Sequence, residues 1–316
     1  MILKPAAICS LKAEFSTPQS TKRRFRQFKE LLIKALLFIC AASSVLITVG
    51  VVWTLIAEAL PFFQEVSLKQ FLFDKEWTPL FENAQYGILN LVCGTLLTTM
   101  IALTVAIPLG TITAVFLSEY APEKTREIFK PILELLAAVP TVVYGYFAML
   151  FVTPLLQKLI PEISSFNALS AGLVMGIMII PYISSLSEDA MRAVPLHFRE
   201  GSLALGASKF QTSFKVVLPA AFSGVASAYI LGISRALGET MVVAIAAGLQ
   251  PRFSFNPLES TQTITAFIVQ VSLGDLPQGS IGYKSIYVSG LVLLIFTLSF
   301  NLVGQRIRFN MEKKFK

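Results

Sequence analysis

The sequence predicts an all-α membrane protein with six transmembrane helices, and two observations predict this: the composition and the spacing of the charges. Of the 316 residues, 54% are apolar and 14% are charged, whereas a soluble domain carries about 25% charged residues. Five stretches of at least 21 residues carry no charge: 35–57, 83–118, 135–157, 163–187 and 285–305. About 20 apolar residues in a helix cross the ~30 Å hydrocarbon core, so each stretch can span a bilayer. A sixth, 216–249, is interrupted only by Arg235 and Glu239. A soluble enzyme, a disordered chain and a disulfide-rich scaffold are excluded.

The distribution of basic residues predicts the orientation of these spans. The N-terminal segment, the C-terminal tail and the loops at 118–130 and 184–217 hold 20 of the 26 Lys and Arg residues. The loops expected on the opposite side hold 5, and Arg235 lies inside a span. By the positive-inside rule, both termini are predicted to be cytoplasmic. The net charge of +7 then reflects topology, and no nucleic-acid partner is expected.

The first two spans follow a predicted cytoplasmic tail at 1–30. The first span, about 31–57, is longer than the apolar region of a signal peptide and is expected to remain uncleaved. Trp77 and Tyr86, which flank the start of the second span, suit an interfacial aromatic belt. The second span contains Pro108, where a tilt or a break accommodates its excess length.

The third and fourth spans carry helix-breaking or close-packing residues. The third, about 131–156, contains Pro140 and Gly145 and is expected to be broken. A broken helix at membrane depth either lines a pathway or is a packed kink, and both remain open. The fourth, about 165–186, carries Gly172 and Gly176, a spacing that lets two helix backbones approach closely.

The fifth and sixth spans complete a predicted membrane domain at 31–305. The fifth, about 219–249, repeats small residues at four-residue spacing, and this narrow face is expected to pack against another helix. These residues are Gly224, Ala228 and Gly232. The sixth, about 285–304, leads into a basic tail at 306–316 that is predicted to be cytoplasmic.

The cytoplasmic loop at 188–218 is the most informative region. Its apolar spacing predicts two short amphipathic helices, with Gly206 at a bend that needs a positive φ or a close approach. Pro219 is expected to open the fifth span. Glu188 and Asp189 point apart on a helix and are interpreted as a charge at a helix start, not as an acid–base pair. An amphipathic element outside the membrane indicates a protein partner.

This loop resembles the EAA motif of binding-protein-dependent ABC importer permeases, in which Glu-Ala-Ala is followed at fixed spacing by Gly and by Ile-x-Leu-Pro. Glu200, Gly206, Leu218 and Pro219 match at the required spacing, whereas Gly201, Ser202 and Val216 depart from the motif. The resemblance implies a type I importer permease (MetI-like) fold with a coupling helix at about 201–208. It also implies that the loop, including Ala207, contacts an ATP-binding subunit.

A second resemblance concerns the cargo. The segment Ser234-Arg-Ala-Leu-Gly-Glu-Thr-Met241 is similar to a signature of phosphate permeases, and Ala138-Val-Pro-Thr-Val-Val-Tyr-Gly145 is similar to a second segment of that group. Met241 favours the PstC-type subunit. The resemblance implies a phosphate importer of the bacterial inner membrane. Its partners would be a PstA-type permease, two ATP-binding subunits and an external phosphate-binding protein.

Arg235 and Glu239 are the candidate pathway residues, because an ionisable residue within the membrane must face a partner or water. Four residues apart on a helix, they can form an internal salt bridge, or Arg235 can attract an oxyanion. Glu239 can accept a hydrogen bond from a protonated oxygen of phosphate, and sulfate offers no such proton. Both alternatives remain open.

Other functions have less support in the sequence. It contains no Gly-x-x-x-x-Gly-Lys-Ser/Thr motif, so ATP hydrolysis is expected on a separate subunit, and the chain is not expected to be an enzyme. With one histidine, His197, no metal site or cofactor is expected. Sulfate or molybdate remains an alternative cargo, and a secondary transporter remains an alternative class.

Overall fold

The computed structural model describes residues 19–81 and 83–312, with side chains for residues 26–81 and 83–309. In this part of the chain the regular structure is helical, apart from one β-bridge between Trp77 and Tyr86. The helices are α1 Gln19–Glu65, α2 Leu68–Phe73, α3 Leu89–Tyr120, α4 Glu123–Ala138, α5 Thr141–Leu159, α6 Ala168–Arg192, α7 Leu196–Ala204, α8 Lys209–Ala220, α9 Phe222–Leu237, α10 Met241–Ala246, α11 Ile264–Asp275 and α12 Ile281–Glu312.

Five of these helices, α1, α3, α5, α6 and α12, are long and apolar enough to span a membrane, and α8 with α9 gives a sixth span if the bent pair is counted as one. The all-α membrane architecture is therefore confirmed. The described residues up to Thr54 form a separate unit, and no residue in the most apolar stretch of α1 is buried. Such a surface suits lipid. The rest of the described chain belongs to the second unit.

The third span is broken as expected. Helix α4 ends at Ala138, Val139 and Pro140 are extended, and α5 starts at Thr141. The span proper is α5, whereas α4 is an amphipathic helix without a buried residue.

The fifth span differs from the expectation at both ends. Helix α8 runs through Pro219 to Ala220 and meets α9 at a 74° bend, so Pro219 does not open the span. A π-helical turn, Ser213–Val217, precedes the proline, and its wider hydrogen-bonding pattern accommodates a residue without an N–H donor. Helix α9 ends at Leu237 instead of continuing to 249, because Gly238 leaves the helical path.

The centre of the second unit is the packing of α3 and α9 against α6. A Cβ added at Gly172 would lie 2.7 Å from Ile101, and one at Gly176 would lie 2.8 Å from the carbonyl oxygen of Ala102. A Cβ added at Gly232 of α9 would likewise lie 3.1 Å from the side chain of Ile183. The small residues therefore permit close backbone contact, as predicted.

A second core, away from α7, is aromatic. Trp77 and Tyr86 are 1% and 7% exposed and pack edge to face with Phe62, Phe71 and Phe267. The expectation of an interfacial belt is wrong for Trp77 and Tyr86, because the β-bridge between them folds the segment back onto the helix ends.

We call the end of the helix bundle at which α7 lies the loop side.

The predicted division at residues 30 and 305 remains a prediction. Helix α1 is already formed at Gln19, and α12 continues to Glu312. Residues 1–18 and 313–316 of the predicted tails lie outside the described residues. The predicted loop 188–218 begins within α6 and ends within α8.

Candidate functional site

The two segments that resemble phosphate permeases are in contact, although they are far apart in the sequence. Helix α5 packs against α10. A Cβ added at Gly145 would lie 3.1 Å from the carbonyl oxygen of Met241 and 3.0 Å from Ile245. Tyr144 is 8% exposed and lies in the same core as Val242. Gly145 is therefore required for space, and the contact brings both segments into one site.

Two tyrosines cap the helix break next to this site. The hydroxyl of Tyr144 donates to the carbonyl of Leu136 at 2.7 Å, and the hydroxyl of Tyr182 donates to the carbonyl of Ala137 at 3.3 Å. The last carbonyls of a helix have no partner within the helix and need one in an apolar environment. Side chains of α5 and α6 thus stabilise the break between α4 and α5.

Arg235 lies against one of these tyrosines. Its guanidinium carbon is 4.2 Å from the ring centre of Tyr182, a cation–π distance. Its Nε is buried and has no hydrogen-bond partner among the described residues. A buried donor without an acceptor is costly.

Glu239 does not form the salt bridge that was one of the two alternatives for it. No Arg235–Glu239 ion pair within 4.0 Å exists among the described side chains. Helix α9 ends between the two residues, at Leu237, so they do not stand one turn apart on one helix. The carboxylate is 7% exposed and accepts from the N–H of Val242 at 3.4 Å, in the first turn of α10.

Buried threonines hold the backbone at Glu239. Thr265 donates to the carbonyl of Glu239 at 2.7 Å and lies 3.0 Å from the hydroxyl of Thr263. On α3, the hydroxyl of Thr95 accepts from the N–H of Ile264 at 3.1 Å. Sequence reasoning missed these residues and Tyr182, because uncharged hydroxyls within apolar stretches give no signal of their own.

The loop that resembles the EAA motif forms the two short helices that were predicted. Gly206 connects α7 to α8 with a φ of +84°, and nothing lies within 4 Å of where its Cβ would be. The backbone conformation, and not a lack of space, favours glycine there. Glu200 is exposed, while Ala207, Leu218 and Pro219 are half-buried. Of the implied coupling helix at about 201–208, only 201–204 lie in α7, which starts at Leu196 and ends at Ala204, and 205–208 connect it to α8.

We call the loop at 188–218 the coupling loop after the motif that it resembles, and it exposes a set of large apolar side chains. Leu205 is 91% exposed and Leu196 is 69% exposed. Phe198, Leu203 and Phe210 are exposed beside them. An exposed apolar patch of this kind is typical of a protein–protein contact.

An ion pair fixes α7 to the end of α3. Arg199 donates to the carboxylate of Glu119 from Nε, at 3.1 and 3.3 Å, and from a terminal nitrogen, at 2.8 Å. The same guanidinium donates to the carbonyls of Val194 at 2.7 Å and Met191 at 2.9 Å. The two side chains are 15% and 8% exposed. We call this arrangement the Arg199 clamp.

A second ion pair joins α4 to α6. Lys130 donates to Glu188 at 2.9 Å and to Asp189 at 2.7 Å, and Glu188 is fully buried. The interpretation of Glu188 and Asp189 as a helix-start charge is wrong, because they lie in the last turns of α6. Burial opposes the charge on Lys130, but its hydrogen bonds to the two carboxylates and their charges outweigh burial and raise the pKa of Lys130.

Comparison with known proteins follows from this geometry. Residues 106–316 match the family described as "Binding-protein-dependent transport system inner membrane component". The chain belongs to this family. The permease is 32% identical to the probable ABC transporter permease protein YqgH of Bacillus subtilis, over 90% of this chain and 92% of that protein. It is 34% identical to the phosphate transport system permease protein PstC of Xylella fastidiosa, over 77% and 80%. It is 35% identical to PstC 1 of Mycobacterium tuberculosis, over 71% and 72%.

Solved structures share the fold of this permease. A chain of a bacterial ABC transporter involved in alginate import aligns with a TM-score of 0.62 and 15% identity, over 90% of this chain and 99% of that one. A chain of the MetNI methionine ABC transporter in an inward-facing conformation aligns with a TM-score of 0.53 and 16% identity, over 71% and 94%. These likenesses confirm the MetI-like permease fold. The family implies ATP-binding subunits and a substrate-binding protein as partners, and a multi-pass location in the membrane.

Proposed function

We propose that the chain is the PstC-type permease subunit of an ATP-driven, binding-protein-dependent importer of inorganic phosphate. The observation that carries the proposal is the contact between α5 and α10, which joins the two segments that resemble phosphate permeases. Relatives named as PstC, at 34 and 35% identity, support the same cargo.

Arg235 and Glu239 are the proposed pathway residues. Arg235 has a buried, unused Nε–H and rests on the face of Tyr182, so its guanidinium can present donors to an oxyanion. The carboxylate of Glu239 accepts from the N–H of Val242 and its backbone carbonyl accepts from Thr265, and among the described side chains it makes no ion pair within 4.0 Å with Arg235. Its carboxylate can accept a hydrogen bond from the hydroxyl of monohydrogen phosphate, which gives a basis for discrimination against sulfate.

The loop side is proposed to receive the ATP-binding subunit. Glu200, Gly206, Ala207, Leu218 and Pro219 would form the contact region, and the exposed apolar residues of the coupling loop support this role. ATP hydrolysis would take place on that subunit, so this chain has no catalytic role of its own. The Arg199 clamp would pass the movement of α7 to α3.

The complete importer would contain this chain, a PstA-type permease, two ATP-binding subunits and an external phosphate-binding protein. The excess of Lys and Arg on the loop side supports an orientation with that side and both termini in the cytoplasm. Tails at 1–30 and 306–316 would flank the membrane domain.

Substitution of Arg235 tests the proposal. Arg235→Gln removes the charge but keeps a polar side chain, and we expect loss of phosphate uptake with normal assembly of the complex. Arg252→Gln, at an exposed arginine, is the matched control and should transport normally. Normal phosphate uptake by Arg235→Gln would contradict the pathway role of Arg235. Uptake of sulfate or molybdate instead of phosphate by the wild-type complex would contradict the proposed cargo.

A further inference from the structure

A cavity of about 450 Å³ lies on the loop side, where α3, α4, α6, α7 and α8 meet. This volume falls within the ~300–1,000 Å³ typical of small-ligand sites. Four basic side chains and one carboxylate line it: Arg126, Arg192, Arg199, Lys209 and Glu119. The cavity is thus strongly cationic, and it lies away from Arg235 and Glu239, neither of which lines it.

One pair of these charges is already neutralised. In the clamp, five hydrogen bonds occupy all three nitrogens of the Arg199 guanidinium: three run to Glu119 at 2.8–3.3 Å and two to backbone carbonyls at 2.7 and 2.9 Å. The carboxylate is therefore hydrogen-bonded to its own arginine, and one carboxylate leaves four cations with a net positive charge.

The other three cations keep donors to spare. The nearest carboxylate of Arg126 is Glu123, at 4.0 Å. Arg192 lies 3.6 Å from Glu188, which binds Lys130 more closely, at 2.9 Å. Lys209 is exposed and lies over the ring of Tyr120, at 5.6 Å from its centre. None of them is held by a short ion pair, although all three line one cavity.

We propose that this cavity binds a phosphate group. Two guanidinium groups can each present parallel N–H donors to phosphate oxygens, and an ammonium adds a third cation. The hydroxyl-bearing residues Ser118 and Thr212 also line the cavity. The occupant is either the headgroup of an anionic lipid or free phosphate, since basic pockets between helix ends suit both. The site does not depend on which cargo the permease carries.

A bound phosphate group would add a polar link between three helices and border a fourth. Arg126 belongs to α4, Arg192 to α6 and Lys209 to α8, and α7 borders the cavity through Leu196 and Leu203. Occupancy would therefore brace the coupling loop against the membrane helices.

The experiment uses the purified importer complex in nanodiscs, with Arg126→Gln/Lys209→Gln as the cavity variant. Lys124→Gln/Lys215→Gln is the matched control, since both lysines are exposed and neither lines the cavity. In the lipid arm, phosphatidylglycerol retained by the complex is measured by native mass spectrometry against a phosphatidylcholine background. In the phosphate arm, equilibrium binding of radiolabelled phosphate is measured in phosphatidylcholine alone, for the wild type, the cavity variant and Arg235→Gln.

If a lipid headgroup is the occupant, the cavity variant retains phosphatidylglycerol about tenfold less well and the control does not. If free phosphate is the occupant, a similar loss appears in the second arm and Arg235→Gln retains that binding. Equal binding by the cavity and control variants in both arms overturns the proposal. Should the double variant lose its thermal transition, Lys209→Gln alone is measured, and the same outcomes apply.

Discussion

Breaking the Arg199 clamp should uncouple α7 from α3 while the bundle stays folded. Arg199→Met removes three contacts of 2.8–3.3 Å to Glu119 and two to backbone carbonyls. Both side chains are largely buried, at 15% and 8% exposure. Breaking a buried pair costs about 3–5 kcal/mol, and the residual exposure of Arg199 favours the lower end. About 3 kcal/mol corresponds to a population of detached α7 that is roughly 100-fold larger.

The assay is a double-mutant cycle of transport. Substrate uptake and binding-protein-stimulated ATP hydrolysis are measured for Arg199→Met, Glu119→Gln and the double variant in proteoliposomes. We expect each single variant to lose most coupled uptake, and the double variant to be no worse than Arg199→Met, because the partners act as a unit. Arg26→Met breaks an exposed pair, with 83% and 54% exposed side chains, and is the control. The loss of stability caused by Arg26→Met should be below about 1 kcal/mol.

Two results would refute this reasoning. One is coupled uptake by Arg199→Met at the wild-type level. The other is full additivity of the two single variants, which would mean that Arg199 and Glu119 act independently. A loss of the folded complex in Arg199→Met would place the clamp in folding instead of coupling, and a thermal melt distinguishes this.

Three further predictions concern glycines and the buried carboxylate. Gly206→Ala forces alanine into a φ of +84° and should destabilise the coupling loop by about 1–2 kcal/mol and reduce uptake. The control is Gly201→Ala, in α7 with nothing within 4 Å, which should be neutral or stabilising. Equal effects of the two substitutions in uptake and thermal melts would argue against a strained turn. Gly176→Val should block the close approach of α6 to α3 and abolish the folded chain in detergent, whereas Gly50→Ala, in open space, should fold normally, and a folded Gly176→Val would contradict the packing. Lys130→Met should lower the melting temperature, since it leaves Glu188 buried with only Arg192 at 3.6 Å. Because the pKa of Lys130 is raised above 10.5, its contribution to the stability of the fold is complete below that pH and is lost only as the pH rises past the raised value. A difference in melting temperature between the wild type and Lys130→Met that changed between pH 6 and 9 would therefore contradict this pairing.

The helices and the loop were predictable because their signals are local. Charge-free length indicates a span, small residues at four-residue spacing indicate a packed face, and Gly206 between two apolar clusters indicates a bend. The same local logic failed where a π-helical turn carried α8 through Pro219, and where Gly238 ended α9 before Glu239. Both depend on hydrogen bonding that a sequence pattern does not reveal.

The charges of the candidate site were predictable, and their contacts were not. Arg235 and Glu239 are conspicuous inside an apolar stretch, but their contacts with Tyr182, Val242 and Thr265 depend on tertiary packing. The clamp joins residues 80 positions apart in the sequence, at the ends of different helices. Charges at helix ends usually satisfy the positive-inside pattern alone, so nothing in the sequence distinguishes these two from solvated ones.

The measurement that tests the central claim most directly is uptake of radiolabelled phosphate by a permease-deficient strain that expresses this chain with its candidate partners. It is made with and without the ATP-binding subunit and with excess sulfate as competitor. We predict uptake that requires the ATP-binding subunit and is insensitive to sulfate. Uptake abolished by sulfate would contradict the phosphate cargo, and uptake without the ATP-binding subunit would contradict the importer itself.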